Sequence, residues 1–143
     1  MPNTFDHRFL SESNVDVEAP IAGDSLQANG VGRWYPLKSL ITLADTPNPS
    51  LDASMGWIFT LRASGDRTIG IPINSISGRR IIIMHTALGS NRSLTLSGSP
   101  GGFRFGSDVT GLTPTVSTKT DYIGAIYNAL DNYWDVVSVV KGY

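Results

Sequence analysis

Arg80-Ile81-Ile82-Ile83-Met84-His85 is the most apolar run in this 143-residue chain. Three consecutive β-branched residues crowd a helix but suit a pleated strand. The run predicts a central strand covered on both faces. Just upstream, Trp57, Phe59 and Leu61 alternate with Ile58, Thr60 and Arg62, the two-residue period of a half-buried strand. On that reading Trp57 fills the core.

Working outward, each apolar segment is bounded by turn residues. Leu40-Ile41-Thr42-Leu43-Ala44 closes at Asp45-Thr46-Pro47-Asn48-Pro49. Thr68-Ile69-Gly70-Ile71 stops at Pro72, which has no N–H to give a ladder. Leu94 and Leu96 alternate with Ser93, Thr95 and Ser97. Ser97-Gly98-Ser99-Pro100-Gly101-Gly102 is a turn, and Phe103-Arg104-Phe105 is a short strand with both rings inward. Thr115-Val116-Ser117-Thr118 reads as an edge strand. Tyr122–Tyr127 and Tyr133–Val140 read as a hairpin joined across Asn128–Asn132, with Trp134 in the core. Eight or nine strands at this spacing, with no helical period, predict an all-β fold: one β-sandwich or jelly-roll-like domain over 40–143.

The composition agrees. Charged residues are only 16%, and 16 Ser and 12 Thr supply much of the polar surface. With 15 Gly and 8 Pro, the chain has the profile of a turn-rich β protein. A net charge of -1 lacks the basic footprint of a nucleic-acid binder. The absence of Cys removes disulfides, thiol nucleophiles and zinc fingers. Ile81–Met84 is far short of the roughly 20 apolar residues of a membrane helix. The mixed, polar N-terminus predicts no export signal.

Residues 1–39 differ from the rest. They carry five acids against three bases, and their apolar residues are scattered. No sustained period of two or 3.6 runs through them. They read as an extended N-terminal arm, with a disordered tail as the alternative. Phe5, Phe9, Leu10, Val15, Val17 and Ile21 are its candidate partner-binding residues. Trp34 and Tyr35, at the boundary with the domain, are expected to pack on the domain or on a partner chain.

No catalytic constellation emerges. There is no phosphate-binding Gly-rich loop and no Gly-x-Ser-x-Gly. His7 lies in the arm, and His85 ends the apolar strand, where a hydrogen-bonded structural role is expected. Asp45, Asp52, Asp66, Asp108, Asp121, Asp131 and Asp135 sit mostly in or beside turns, and nothing nominates a catalytic pair. No enzyme activity, cofactor or metal is expected.

The order of segments from Leu40 onward resembles a domain of tailed-bacteriophage virion proteins. Trp57–Leu61 is followed by Gly65-Asp66-Arg67-Thr68-Ile69-Gly70-Ile71-Pro72-Ile73-Asn74, then by a Gly78-led strand. Gly89–Leu96, Phe103-Arg104-Phe105-Gly106, Pro114–Thr118, Asp121-Tyr122-Ile123 and Trp134–Gly142 complete the series. Arg79-Arg80 departs from the pattern, where Gln or a small residue is more usual, and residues 1–39 do not align to it. The resemblance implies a virion structural role without catalysis, commonly as a trimer. Such domains occur in tail fibres, minor tail proteins and capsid decoration (cement) proteins.

A fibre needs a shaft, for which 143 residues leave no room. An arm plus a compact domain therefore favours a decoration protein on the capsid exterior, made in the bacterial host cytoplasm. The expected partners are copies of itself, as a homotrimer, and the major capsid protein or a tail protein, with no nucleic acid and no membrane. A tail-fibre or tail-tip structural or receptor-binding protein and a carbohydrate-binding module are the alternatives.

Overall fold

A computed structural model describes the backbone of residues 25–28 and 34–39, and residues 40–143 in full. The chain divides into two compact units, Met1–Ser39 and Leu40–Tyr143. The described residues contain nine strands and no helix, so the protein belongs to the β class.

In the first unit, β1 (Ser25–Ala28) pairs antiparallel with the start of β2 (Trp34–Thr42), from Ser25↔Leu37 to Ala28↔Trp34. This region was expected to lack strands. The arm residues Phe5, Phe9, Leu10, Val15, Val17 and Ile21 lie outside the described residues.

The second unit is built on a mixed sheet. β3 (Gly56–Ala63) pairs parallel with β5 (Arg80–Ala87), and β5 pairs antiparallel with β8 (Thr120–Asn128). β8 forms the expected hairpin with β9 (Tyr133–Val140), and β7 (Phe103–Phe105) pairs parallel with β9. Beyond β3, the Leu43 N–H donates to the Thr60 carbonyl at 2.8 Å, just after β2 ends. A second sheet holds two parallel strands, β4 (Arg67–Ile69) and β6 (Leu94–Leu96). A parallel pair cannot close through a tight turn. The link from β3 to β5 meets this by leaving the large sheet and passing through β4.

One face of the large sheet is packed. Phe59, Leu61, Ile81, Ile83, Ile123 and Trp134 are buried there, in one cluster with Ile69, Leu94 and Leu96 of the small sheet. Trp134 is fully buried, and its Nε1–H donates to Ser75 Oγ at 3.0 Å. That bond satisfies the single polar atom of the ring.

Three expectations are corrected. β5 is internal to the sheet, but among the described residues only one of its faces is fully packed, and Ile82 on the other is 40% exposed. Trp57 shares the register of Phe59 and Leu61, yet near the start of the strand it is 43% exposed and outside the buried core. Thr115–Thr118 is not a strand. Thr115 makes one isolated bridge with Arg92, and the chain then turns through Thr118 at φ 66°. Of the Phe103–Phe105 pair, Phe103 is buried and Phe105 is partly buried.

Candidate functional site

The unpacked face of the large sheet is the candidate interaction surface. Ladder register fixes which residues share it. Ile58, Ile82, Gly124 and Ser138 lie in one row across β3, β5, β8 and β9. The adjacent row holds Thr60, Met84, Tyr122 and Val140. Tyr143 follows at 5.3 Å from the Tyr122 ring, edge to face, and is anchored by reciprocal backbone bonds with Thr120. Val140 is 46% exposed and Tyr143 68% exposed.

A bulge at Gly124/Ala125 shifts the β8–β9 register and adds Val137, 56% exposed, beside this surface. Gly124 leaves room there for the Ser138 hydroxyl. A Cβ at that position would lie 2.5 Å from Ser138 Oγ and 3.9 Å from a Val137 methyl. Neighbouring exposed apolar residues on a sheet are costly in a lone β protein, because they invite association.

Charges border the face. Arg80 stands at one end of β5, and Arg62 lies opposite Thr86 at the other. Both are exposed, and neither has a carboxylate partner among the described residues. Arg104 is different. It forks to Asp135 at 2.5 Å and Asp131 at 2.6 Å, with Tyr133 beneath it at 5.3 Å. These bonds raise the guanidinium pKa. They also tie β7 to β9 and to the hairpin turn.

On the packed side, three buried polar residues form one chain. His85 Nδ1 lies 2.7 Å from Thr115 Oγ1, which donates to Asp121 Oδ2 at 2.7 Å. Thr115 has one hydroxyl proton, so His85 must be the donor to it, which places its neutral proton on Nδ1. His85 Nε2 is then a bare acceptor, buried and without a partner. Asp121 also accepts from the Gly142 N–H and faces Lys141 at 3.4 Å. Lys141 donates in turn to the Thr113 hydroxyl and to the Thr113 and Pro114 carbonyls. Burial pushes the His85 pKa down, with Lys141 acting in the same direction and Asp121 and Asp66 opposing.

A His–hydroxyl–carboxylate chain has the chemical types of a proton relay. The cavity beside it, lined by His85, Thr113, Thr115, Asp121 and Lys141, has room for about one water molecule. Its geometry fastens the 112–115 loop and the C-terminal residues onto β5 and β8. Sequence alone placed His85 as structural but did not link it to Asp121 across the fold.

Other carboxylates hold loops. Asp45 accepts from Arg67 Nε at 2.6 Å and from the Ser64 N–H and hydroxyl, and these bonds hold its pKa well below the usual range. Asp52 loses solvation, which raises its pKa, but bonds from Ser54 and Asn74 outweigh this and lower it. Among the described residues, no group of three or more His, Asp or Glu side chains is placed to hold a metal ion.

The comparisons with known proteins add little. No family model matches the chain, and no curated protein matches it. Among solved structures it is similar to a chain in "Structure of a chaperone-substrate complex". The identity is 16% and the TM-score 0.46, over 82% of this chain and 20% of that one. This chain therefore spans about a fifth of that chain's length.

Of the eight candidate binding residues, six lie outside the described residues. Trp34 and Tyr35 fall in β2, where the backbone alone is described. The exposed residues Ile82, Val137, Val140 and Tyr143 were not singled out from sequence. Val140 sits at the period-two position opposite Tyr122, a signal that alternation carried. Val137 depends on the bulge, which no local pattern announces.

Proposed function

We propose that this chain is a structural protein of a bacteriophage virion, and within that class a capsid decoration (cement) protein that bridges neighbouring subunits as a homotrimer. The two sheets are read as the layers of a sandwich or jelly-roll-like domain. The observation that carries the reading is the open apolar face, with Ile82, Val140 and Tyr143 presented together on a folded sheet. A lone domain gains nothing from such a face, whereas an assembly protein buries it. Repetition over a shell then multiplies weak contacts by avidity.

A non-catalytic role is part of the same reading. The His85–Thr115–Asp121 chain is spent on holding segments together, beside a cavity on the scale of one water. The ordered segment resemblance from Leu40 to Tyr143 supports the phage assignment. The test is co-sedimentation of the full chain with particles stripped of it. Saturable rebinding is expected. Failure to rebind, with the protein folded, contradicts the proposal.

A second reading is a tail-tip receptor-binding protein, favoured by the exposed Trp57 ring. Binding of the purified chain to host glycans on an array would select it over the decoration role.

A further inference from the structure

Lys141-Gly142-Tyr143 joins the two faces of the large sheet at one point. Three consecutive residues of β8 hold it. Thr120 exchanges backbone bonds with Tyr143, Asp121 Oδ1 accepts the Gly142 N–H at 3.0 Å, and the Tyr122 ring lies against the Tyr143 ring. Asp121 points to the packed side, where it is 4% exposed and meets the His85–Thr115 pair, while Tyr143 lies on the outer face. Gly142 makes the crossing at φ 87°, a left-handed conformation that suits glycine. We propose that residues 141–143 form an acid-released latch, with buried His85 as its proton sensor and Tyr143 as the side chain it withdraws from the outer face.

The hydrogen bonds decide what an added proton does. His85 donates from Nδ1 to Thr115, so a second proton can enter only at Nε2. That atom is buried, and no described residue offers it an acceptor. The charged groups facing the ring are Asp121 on β8, Asp66 before β4 and Lys141 beyond β9. Arg92, which bridges Thr115, directs its Nε to the Leu88 carbonyl instead. Leu94, Leu112, Ile123 and Val139 complete the wall with apolar surface, and the cavity has room for about one water. An imidazolium there is a buried donor without an acceptor, with a like charge in Lys141. Asp121 opposes this, but burial outweighs it and lowers the His85 pKa. Relief comes most easily on the side closed by residues 113–114 and 141–143. Lys141 holds Thr113 and Pro114 through its ammonium alone, whereas the strands are fixed by their ladders. Opening there hydrates Nε2 and returns the ring to its ordinary pKa of 6.5, so the open form gains as pH falls below that value.

The outer face is thus complete near neutral pH and loses Tyr143 in acid. The latch stands on the described residues, and its bearing on attachment rests on the proposed function. Its test uses the purified full chain without particles, so the latch can fail while rebinding succeeds, and the reverse. At pH 7, NMR shows the His85 ring protonated at Nδ1 and a nuclear Overhauser contact between the Tyr122 and Tyr143 rings. Between pH 7 and 5 that contact is lost. Protection of the Gly142 and Tyr143 amides against hydrogen exchange falls about tenfold or more, while the Trp134 indole N–H keeps its native resonance. In His85→Gln the contact and the protection stay constant over this range. If that variant does not fold, the wild type decides alone. Four results overturn the proposal: a ring protonated at Nε2 at pH 7, a Tyr122–Tyr143 contact that persists at pH 5, loss of the native Trp134 signal together with the contact, or a folded His85→Gln that still releases Tyr143 in acid.

Discussion

Ile82 of β5 stands directly across the ladder from Gly124 of β8, on the face of the sheet that the core leaves bare. Gly124 has no side chain to shield it, and Ser138 Oγ occupies the space where one would begin. The pair therefore leaves a shallow apolar floor at the centre of the sheet. This is a place to be covered by something else.

Substituting Ile82→Lys places a charge on that floor. Ile82 is 40% exposed, so the fold loses less than about 1 kcal/mol. Self-association and particle binding fall steeply, because burying the new ammonium without a partner is costly. Melting temperature and sedimentation measured on the same sample separate the two effects. Loss of folding rather than of association would remove Ile82 from the interaction surface.

Trp134 tests the opposite side of the sheet. It is fully buried, 5.2 Å from the Tyr127 ring and 6.4 Å from the Phe103 ring. Trp134→Ala removes a large volume from a closed core and destabilises by about 3–5 kcal/mol. Ser75→Ala leaves the indole N–H without its acceptor and costs about 1–3 kcal/mol. Chemical denaturation of both variants checks the order. A larger loss for Ser75→Ala would contradict the packing described.

Thr115 bridges the side chains of His85 and Asp121, which also stand opposite each other in the β5–β8 ladder. Thr115→Val keeps the shape and deletes the hydroxyl. His85 Nδ1–H loses its acceptor in a buried site, while Asp121 retains Gly142 and Lys141. The expected loss is about 1–3 kcal/mol, measured by urea unfolding. A neutral effect would show that the chain of bonds does not hold the loop.

His85 also sets a pH dependence. Its pKa in the fold lies below the ordinary 6.5, mainly because burial disfavours the imidazolium. The unfolded chain therefore takes up a proton before the folded one does. Stability falls as pH drops through about 6.5 and levels off below the folded pKa. His85→Gln removes this slope between pH 7 and 5. Asp45 acts in a separate window: its lowered pKa gives stability that is present above 3.8 and lost as pH falls further. Melting temperatures across pH 8 to 3 for wild type and His85→Gln resolve both. An unchanged slope in the variant would contradict the role given to His85.

Much of the β architecture was legible in the residues. Alternation at Phe59 and Leu61 and at Leu94 and Leu96 reports one buried face, and it did so correctly. The three isoleucines misled, because continuous apolarity reads the same whether the second face meets the core or a partner. Ile82 is that ambiguity in one residue. Trp57 has the right period but the wrong position along its strand, and end effects are not periodic. The His85–Thr115–Asp121 chain was illegible for another reason. It joins residues 30 and 6 positions apart, through a loop whose placement depends on the whole fold.

The most direct test of the proposed function is electron cryomicroscopy of phage particles carrying this chain, which the proposal requires to exist. The account predicts density for the β domain at three-fold positions on the capsid exterior, with Ile82, Val140 and Tyr143 covered by a neighbouring chain. Particles without such density, or a domain whose Ile82 face is open to solvent, would contradict it.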